Sequence, residues 1–274
     1  MVHARMEPMK LKDKVAIITG GGTGIGKAIS LALANEGAAV VIAARNLSRL
    51  EQAAKDIKSR GGKARAIQTD ISNHEQVKRM VTQTIKDFGQ IDILVNNAAR
   101  GTFNNADVVD MNLKEWHDSL AINLTGIMFC SREALKYMIP RKSGNIINIS
   151  SVAGISGVPK ESPYVASKWG VIGFTETLAI EVGRFGIRVN CISPGATRTQ
   201  EFEDWVRVSA ADAGISYEEM MSRITDNNAL KRIAEPSEIA ACVVFLASDD
   251  SSAMTGHNLV VSCGFHLMHP NMIH

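Results

Sequence analysis

The chain has 274 residues, a length that suits one large domain or two small ones. Hydrophobic residues make up 45% and charged residues 21% of the sequence, which is typical of a globular protein and excludes a disordered, collagenous or coiled-coil chain. Thirty basic and twenty-eight acidic side chains leave a formal net charge of +2, so charge gives no reason to expect nucleic acid as the main partner.

The N-terminal segment, residues 1–14, carries basic residues but no apolar signal-peptide core. We interpret residues 1–10 as a flexible tail, and no later apolar run approaches the roughly 18 residues of a membrane span. The cysteines are far apart and form no CxxC pair, which favours free thiols in a reducing compartment over a disulfide scaffold or a zinc site. We therefore expect a cytoplasmic protein without a membrane partner. The cysteines are Cys130, Cys191, Cys242 and Cys263.

Short apolar runs alternate with helical stretches along the chain. Strands are predicted over 15–19, 39–44, 63–68, 91–95, 145–149, 188–192 and 258–261. Helices are predicted over 27–36, 48–60, 75–88, 114–138, 163–185 and 236–247. Because parallel strands need crossover connections, this alternation predicts one doubly wound parallel α/β sheet.

One stretch, residues 195–234, breaks the alternation because it holds no strand. It follows the carboxyl end of a predicted strand, which is where ligands bind in such sheets. We interpret it as a substrate-covering insertion within a single domain. Its apolar residues suit a neutral, moderately hydrophobic substrate, although they would equally serve to pack the insertion onto the body.

The first predicted strand runs directly into Gly20-Gly21-Gly22-Thr23-Gly24-Ile25-Gly26 and then into a helix. This spacing does not fit GxGxxG but fits TGxxxGxG, beginning at Thr19. Glycines there allow backbone N–H groups to approach a pyrophosphate, and the helix N-terminus adds a partial positive charge. The alternative is a tight strand–helix turn that binds nothing.

The end of the second predicted strand indicates which dinucleotide would bind. An acidic residue is usual there in an NAD site, whereas this chain has Ala44 followed by Arg45. A guanidinium at this place pairs well with a 2′-phosphate, which favours NADP. The alternative is that Arg45 is only a solvated loop cation.

Tyr164 and Lys168 are spaced to share one face of a helix for which Ser162 and Pro163 are the predicted N-cap and first residue. A phenol titrates too high to exchange protons easily at neutral pH, and a nearby ammonium would lower its pKa. Tyr164 could then act as a general acid or base on a carbonyl or alcohol oxygen. Ser151, after the preceding strand, could hold that oxygen. A helix that carries Tyr and Lys by chance is the alternative.

Together these residues resemble the short-chain dehydrogenase/reductase family, in its single-domain branch. The resemblance runs from about Leu11 to Gly264. Its motifs occur in order as TGGGTGIG at 19–26, Asp70, NNAA at 96–99, Asn123 in INLTG, Ser151 in NISS, YVASK at 164–168 and PGATRT at 194–199. Ala99 departs from the family's usual glycine, which narrows the space beside the cofactor. Ser262-Cys263-Gly264 departs from the family's Asp-Gly-Gly and affects any standard C-terminal interface.

The resemblance implies a Rossmann-type seven-stranded sheet, a nicotinamide cofactor and a catalytic set. In that set Tyr164 is the acid–base group, Ser151 polarises the substrate oxygen, Lys168 contacts the nicotinamide ribose, and Asn123 supports a water that relays protons to Lys168. Ser151 and Tyr164 are the implied substrate contacts.

The resemblance also places residues around the cofactor. Asp70 and Ile71 would border the adenine, Asn97 would lie along the cofactor, and Thr199 would meet the carboxamide. The Ala44–Arg45 pair resembles the NADP-preferring subset. The full predicted cofactor set is Gly20, Thr23, Gly24, Ile25, Arg45, Asp70, Ile71, Asn97, Tyr164, Lys168 and Thr199.

The leading functional prediction is an NADP(H)-dependent oxidoreductase that interconverts a small carbonyl compound and its secondary alcohol. One alternative is a 3-oxoacyl-thioester reductase acting on carrier-protein or CoA substrates, in which Arg100 would approach a polar carrier arm unless it is a surface cation. Another is a non-catalytic dinucleotide-sensing protein, since a fold does not fix a function.

Two further expectations concern partners and metals. The resemblance suggests a homotetramer, formed through the helices after Trp116 and after Pro163, with a monomer as the alternative. The histidines near the C-terminus lack supporting carboxylate or cysteine spacing, so no metal site is predicted. They are His266, His269 and His274.

Overall fold

A parallel β-sheet organises the computed structural model, which describes residues 9–101 and 106–267 except for the side chain of His266. Among these residues the strands are β1 Val15–Thr19, β2 Ala39–Ala44, β3 Lys63–Gln68, β4 Ile93–Asn96, β5 Gly144–Ile149, β6 Ile187–Pro194 and β7 Asn258–Val261. They form one seven-stranded sheet in the order β3-β2-β1-β4-β5-β6-β7, and every pairing is parallel. The predicted Rossmann-type α/β fold is confirmed.

Helices cover both faces of the sheet. Within the described residues they are α1 Gly24–Asn35, α2 Leu47–Ser59, α3 His74–Phe88, α4 Leu113–Leu120, α5 Gly126–Arg141, α6 Ser162–Gly183, α7 Gln200–Asp212, α8 Tyr217–Asp226 and α9 Pro236–Ala247. Side chains of α1, α2 and α9 form one apolar core with one face of the sheet, and those of α3, α5 and α6 form a second core with the other face. Strands β1 and β2 read as nearly continuous apolar runs because helices cover both of their faces.

The sheet reverses its direction of growth between β1 and β4, which are hydrogen-bonded neighbours. Strands added after β1 extend to one side as far as β3, and strands added after β4 extend to the other. In open α/β sheets the crevice at the carboxyl ends of two such strands is the usual ligand site. The fold therefore places the glycine loop after β1 and the NNAA segment after β4 side by side.

The helix predicted over 114–138 is interrupted. Helices α4 and α5 are joined by a π-helical turn, Ala121–Thr125, that contains Asn123. A π turn holds one extra residue per turn, so it shifts the side chains on either side of it, and such turns are frequent at functional sites. Apolar spacing predicts one continuous helix because it does not register a single added residue, whereas the role expected of Asn123 already involved a kink in the backbone.

The predicted insertion contains helices α7 and α8. Its two ends meet in an isolated parallel bridge between Thr197 and Ala234. The amide of Arg198 donates to the Ala234 carbonyl at 2.8 Å, and the Ala234 amide donates to the Ala196 carbonyl at 3.0 Å. The insertion therefore starts and finishes beside the carboxyl end of β6.

Most of the predicted flexible tail over 1–10 lies outside the described residues. The Lys10 amide donates to a Glu36 carboxyl oxygen at 3.0 Å, and its Nζ lies 2.6 Å from an Asp250 carboxyl oxygen. The flexibility of the segment stays a prediction. In the described part of the chain, no helix combines the length and apolarity needed to cross a bilayer.

Candidate active site

A cavity of about 650 Å³ lies at the carboxyl ends of β1, β2 and β4. Nine of the predicted cofactor residues line it, namely Gly20, Thr23, Gly24, Ile25, Arg45, Asp70, Ile71, Asn97 and Thr199. The volume falls within the range of small-molecule and cofactor sites, about 300–1,000 Å³. Five segments, which follow β1, β2, β3, β4 and β6, therefore converge on one space although they are far apart in the sequence.

The glycine loop fits a pyrophosphate group. Gly20 has φ +68°, a left-handed conformation that favours glycine. A Cβ added to Gly26 would lie 2.1 Å from the Gly20 carbonyl oxygen, so only glycine allows α1 to start this close to β1. Helix α1 has no acidic residue in its first turn, and the Thr23 side chain does not cap it. The partial positive charge of the helix N-terminus therefore remains available to an anion.

Thr19 and Asn97 join the loop after β1 to the loop after β4. Oγ1 of Thr19 accepts hydrogen bonds from the amides of Asn97 and Ala98, both at 3.0 Å. Nδ2 of Asn97 donates to the Thr19 carbonyl at 2.9 Å. These contacts explain why the glycine motif begins with a threonine: the Thr19 hydroxyl holds the loop after β4, which forms the cavity wall opposite the glycine loop.

Two arginines flank the end of β2. Arg45 follows the strand directly, and Arg49 lies in the first turn of α2, which Asn46 caps by accepting from the Arg49 amide at 3.1 Å. Both side chains are exposed, and both residues line the cavity. Among the described residues neither arginine forms an ion pair with an acid. Arg49 was not among the residues predicted from the sequence, where its position four residues after Arg45 could have indicated it.

Asp70 and Ile71 form the wall next to β3. A carboxyl oxygen of Asp70 accepts from the Ser72 amide at 3.0 Å and from the Ser72 hydroxyl at 2.7 Å. The Asp70 amide donates to the Gln76 side chain at 2.9 Å. This turn keeps the side chain of Ile71, which is buried, against α5 at Gly126.

A second cavity, of about 260 Å³, adjoins the first. It is lined by Ser151, Tyr164 and Lys168, so the structure brings three of the four predicted catalytic side chains together, and Asn123 does not line it. The residues that line both cavities are Ile25, Asn97, Ala99 and Thr199. A molecule that filled the larger space would therefore end beside Tyr164.

Helix α6 carries Tyr164 and Lys168 one turn apart. It begins at Ser162, because the Val165 amide makes the first helical bond to the Glu161 carbonyl at 2.9 Å. The N-cap position is thus Glu161, and the prediction of Ser162 as the cap was wrong by one residue. The Ser162 hydroxyl is buried and makes no hydrogen bond.

Lys168 lies deep in the protein, with 2% of its surface exposed. Its Nζ donates to the Ile149 carbonyl at 2.9 Å and lies 5.5 Å from the centroid of the Tyr164 ring. Burial lowers the pKa of Lys168 to about 8, and its interaction with Cys191 opposes that shift. Close to neutral pH the side chain still carries its proton.

Burial raises the pKa of Tyr164. A hydrogen bond with the Ser151 side chain acts in the opposite direction, and the negative charge of Glu161 adds to the rise. The lowering of the tyrosine pKa by Lys168 stays a prediction; the Lys168 ammonium lies 5.5 Å from the centroid of the Tyr164 ring.

Asn123 is fully buried in the π turn. Its Oδ1 accepts from the Arg100 amide at 2.7 Å, and its Nδ2 donates to the Arg100 carbonyl at 2.9 Å. Nδ2 also lies 3.1 Å from the Ser167 hydroxyl, which donates to the Tyr164 carbonyl at 2.7 Å. Asn123 thus contacts the first turn of α6 through Ser167 and makes no direct hydrogen bond to Lys168.

Thr199 caps α7 by accepting from the Phe202 amide at 3.2 Å. Its methyl group would lie 3.3 Å from a Cβ at Gly24, so the insertion meets the glycine loop at this point. Phe202 lines the second cavity. The start of the insertion therefore forms one wall of that cavity.

Within residues 9–101 and 106–267, no group of three or more histidine, cysteine or acidic residues is arranged to hold a metal ion. The predictions for His269 and His274 fall outside the described residues, as does the side chain of His266.

A family model described as enoyl-(acyl carrier protein) reductase matches residues 20–266 of the chain. The curated protein astE of Aspergillus oryzae, a short chain dehydrogenase/reductase, is 39% identical over 264 residues, covering 96% of this chain and 98% of that protein. The 3-oxoacyl-[acyl-carrier-protein] reductase FabG of Thermotoga maritima is 36% identical over 256 residues, covering 93% of this chain and 99% of that protein.

Solved structures with similar folds hold two different cofactors. A variant of actinorhodin polyketide ketoreductase with NADPH is 34% identical, with a TM-score of 0.87, and covers 92% of this chain and 97% of that chain. An NAD⁺-bound xylitol dehydrogenase is also 34% identical, with a TM-score of 0.86, and covers 93% of this chain and 100% of that chain.

Proposed function

The chain belongs to the short-chain dehydrogenase/reductase family and is an NAD(P)-dependent oxidoreductase of carbonyl compounds and alcohols, and we propose that it uses NADP(H) with Tyr164 as its acid–base group. One observation carries the proposal: the cavity that contains Ser151, Tyr164 and Lys168 adjoins the larger cavity beneath the glycine loop. A carbonyl substrate in the smaller cavity would therefore lie next to a dinucleotide in the larger one.

The preference for NADP(H) rests on the end of β2. Arg45 and Arg49, which pair with no acid among the residues that the structure describes, bring two positive charges to the cavity wall where an NAD site would usually have an acid. Guanidinium groups form charge-assisted, bidentate contacts with phosphate. The α1 N-terminus would hold the pyrophosphate, with Asp70 and Ile71 beside the adenine and Asn97 and Thr199 nearer the nicotinamide.

A bound nicotinamide supplies a hydride donor or acceptor at this site. Ser151 donates a hydrogen bond to the substrate oxygen as negative charge develops on it. Tyr164 gives its proton to that oxygen in reduction and takes it back in alcohol oxidation. Lys168, still protonated near neutral pH, binds the ribose hydroxyls and supports the tyrosinate. Asn123 acts through Ser167 and a water that passes protons towards Lys168.

A screen of NADPH oxidation tests the function. We would measure turnover with ketones, diketones, steroids and 3-oxoacyl thioesters, using NADH in parallel. Turnover of at least one carbonyl class is expected, with a higher kcat/KM for NADPH than for NADH. Tight binding of NADPH with no turnover across the panel would contradict the proposal and support a sensing protein.

The second candidate is a 3-oxoacyl-thioester reductase, favoured by the similarity to the Thermotoga maritima enzyme. Against it stands Arg100, whose guanidinium lies 2.8 Å from the mostly buried Glu115 carboxylate and is directed at α4. A kcat/KM for acyl thioesters well above that for small ketones would favour this candidate. The substrate cavity is the same in both cases.

We further propose that the protein is a homotetramer in the cytoplasm and that α7 and α8 cover the substrate. The tetramer is supported by apolar side chains on the outer faces of α4 and α6, where Leu113, Trp169 and Ile180 are more than half exposed. The location is supported by cysteines that are all free in the described chain. The role of the insertion is supported by Phe202 at the second cavity.

A further inference from the structure

Arg100, which follows the NNAA segment, forms an ion pair with a buried acid. Its Nη2 donates to Oε2 of Glu115 at 2.8 Å. The Glu115 side chain is only 7% exposed, and the Arg100 side chain is 27% exposed. A carboxylate withdrawn from water is costly unless a cation compensates it, so the pair acts as a unit.

The main chain of Arg100 is held by the same helical segment. Asn123 binds both polar groups of the Arg100 backbone, the amide at 2.7 Å and the carbonyl at 2.9 Å. Glu115 lies in the first turn of α4, and Ser119 and Asn123 follow it at four-residue intervals on one side of the helix. Arg100 is therefore fixed at its side chain by one turn and at its backbone by another.

This attachment links both cavities to α6. Two residues on its N-terminal side, Asn97 and Ala99, line the two cavities where they adjoin. On the other side, Asn123 reaches the Ser167 hydroxyl at 3.1 Å, and Ser167 donates to the Tyr164 carbonyl. A displacement of Arg100 would move the wall that the two cavities share. It would also break the hydrogen bonds between the Arg100 backbone and the side-chain amide of Asn123.

We propose that Arg100 and Glu115 are positioning residues for the reaction: their ion pair keeps the Arg100 backbone where Asn123 binds it and so fixes the wall shared by the two cavities. The inference rests on the proposed function, because it concerns the same site. It assigns Arg100 a task inside the chain, in place of the carrier-arm contact or surface cation considered from the sequence.

Amide hydrogen exchange tests the attachment without any need for activity. In Glu115→Gln, which keeps the side-chain shape but removes the charge, we expect the amides of residues 98–101 to exchange about tenfold faster or more. The matched control is Arg65→Met, which removes an ion pair 3.3 Å long between Arg65 and Asp87, far from the cavities. Exchange in Glu115→Gln within about twofold of the wild-type rate would overturn the proposal.

Kinetics separate positioning from a merely structural role. Arg100→Met and Glu115→Gln should each lower kcat about tenfold or more while KM for the carbonyl substrate stays within about twofold, since small displacements of reacting groups are costly. Arg100→Lys should recover part of kcat because it restores the charge. The double variant should be no worse than the more damaging single variant, since both changes remove the same interaction.

The outcomes are distinct. A wild-type protein without turnover fails the proposed function, and the exchange experiment still decides the present inference. If the wild type is active and the folded Arg100 and Glu115 variants keep their kcat, or lose no more of it than Arg65→Met does, this inference alone is overturned. If Arg100→Met does not fold, Glu115→Gln and Arg100→Lys test the inference in its place, again by a fall in kcat with little change in KM.

Discussion

Two arginine side chains, Arg45 and Arg49, line the larger cavity where we expect the choice between NADP(H) and NAD(H) to be made. Arg45 is exposed, directly follows β2 and has no acidic partner among the described residues. The Arg45 guanidinium can therefore turn towards a phosphate without breaking an ion pair with a described acid. Arg49 provides a second cation one helical turn further along.

Replacing Arg45 by alanine should weaken NADPH much more than NADH. A hydrogen bond to a charged group contributes about 1.5–3 kcal/mol, which corresponds to about ten- to a hundredfold in affinity. Fluorescence titration of both cofactors measures the change, with Arg65→Ala as the control on a distant exposed arginine. Equal losses for NADPH and NADH, or a wild-type preference for NADH, would contradict the assignment.

Glu161 sets part of the titration of Tyr164. The carboxyl is partly buried at the start of α6, and its negative charge adds to the rise that burial causes in the pKa of Tyr164. Glu161→Gln removes that charge, so the pKa of Tyr164 should fall. In alcohol oxidation, which needs the tyrosinate, the rising limb of log kcat/KM against pH should then move to lower pH.

The matched control for that profile is Glu176→Gln, at an exposed position of the same helix. Its pH profile should coincide with that of the wild type. A rising limb that stays in place in Glu161→Gln, or that moves equally in both variants, would show that Glu161 does not act on Tyr164.

At the scale of elements, the junction between β1 and α1 depends on glycine. Gly26→Ala would place a methyl group 2.1 Å from the Gly20 carbonyl oxygen, so the helix must shift away from the strand. We expect at least about a tenfold loss of dinucleotide affinity, because a displaced helix N-terminus no longer faces the anion. Isothermal titration with NADPH measures it.

The control is Gly183→Ala at the end of α6, where an added Cβ meets no atom within 4 Å. This variant should bind NADPH as the wild type does, and its melting temperature should not fall, because alanine favours a helix more than glycine. Unchanged affinity in Gly26→Ala would mean that the loop adapts to the methyl group.

The sequence predicted the elements that periodicity controls. Every predicted strand is present. The inner strands β1 and β2 are marked by apolar runs because both of their faces are buried, whereas the edge strand β3, KARAIQ, is marked only by its place in the alternation of strands and helices. Periodicity did not predict the π turn around Asn123, where only the resemblance implied a backbone kink, because that turn depends on contacts with Arg100 and Ser167 from distant segments. The N-cap of α6 was predicted one residue too late. Serine is a common N-cap residue, but here Ser162 is the first residue of the helix.

The parts of the candidate site that belong to sequence motifs were predictable from the sequence. Nine predicted cofactor residues converge on one cavity because the parallel strands β1, β2, β3, β4 and β6 all end at one edge of the sheet. The Arg100–Glu115 pair was not predictable, since nothing in the local sequence marks Glu115 as buried. The pKa of Tyr164 also depends on burial, which a sequence spacing does not report.

At the scale of the whole molecule, exposed apolar side chains on α4 and α6 predict self-association. Ile180 is 83% exposed and Leu113 is 72% exposed, which is unfavourable for a monomer in water. Light scattering at micromolar concentration should give about four times the chain mass of 29.6 kDa. Ile180→Glu should reduce that mass without loss of fold, whereas a wild-type mass of about 30 kDa would contradict the proposal.

The proposed transfer of the proton by Tyr164 is tested most directly by Tyr164→Phe, because this change removes only the hydroxyl. We expect kcat on a substrate that the wild type reduces well to fall by about 10²–10⁴, with the NADPH dissociation constant changed by less than about twofold. Steady-state kinetics and NADPH titration of the folded variant provide both values. Turnover close to the wild-type rate in Tyr164→Phe would contradict the mechanism.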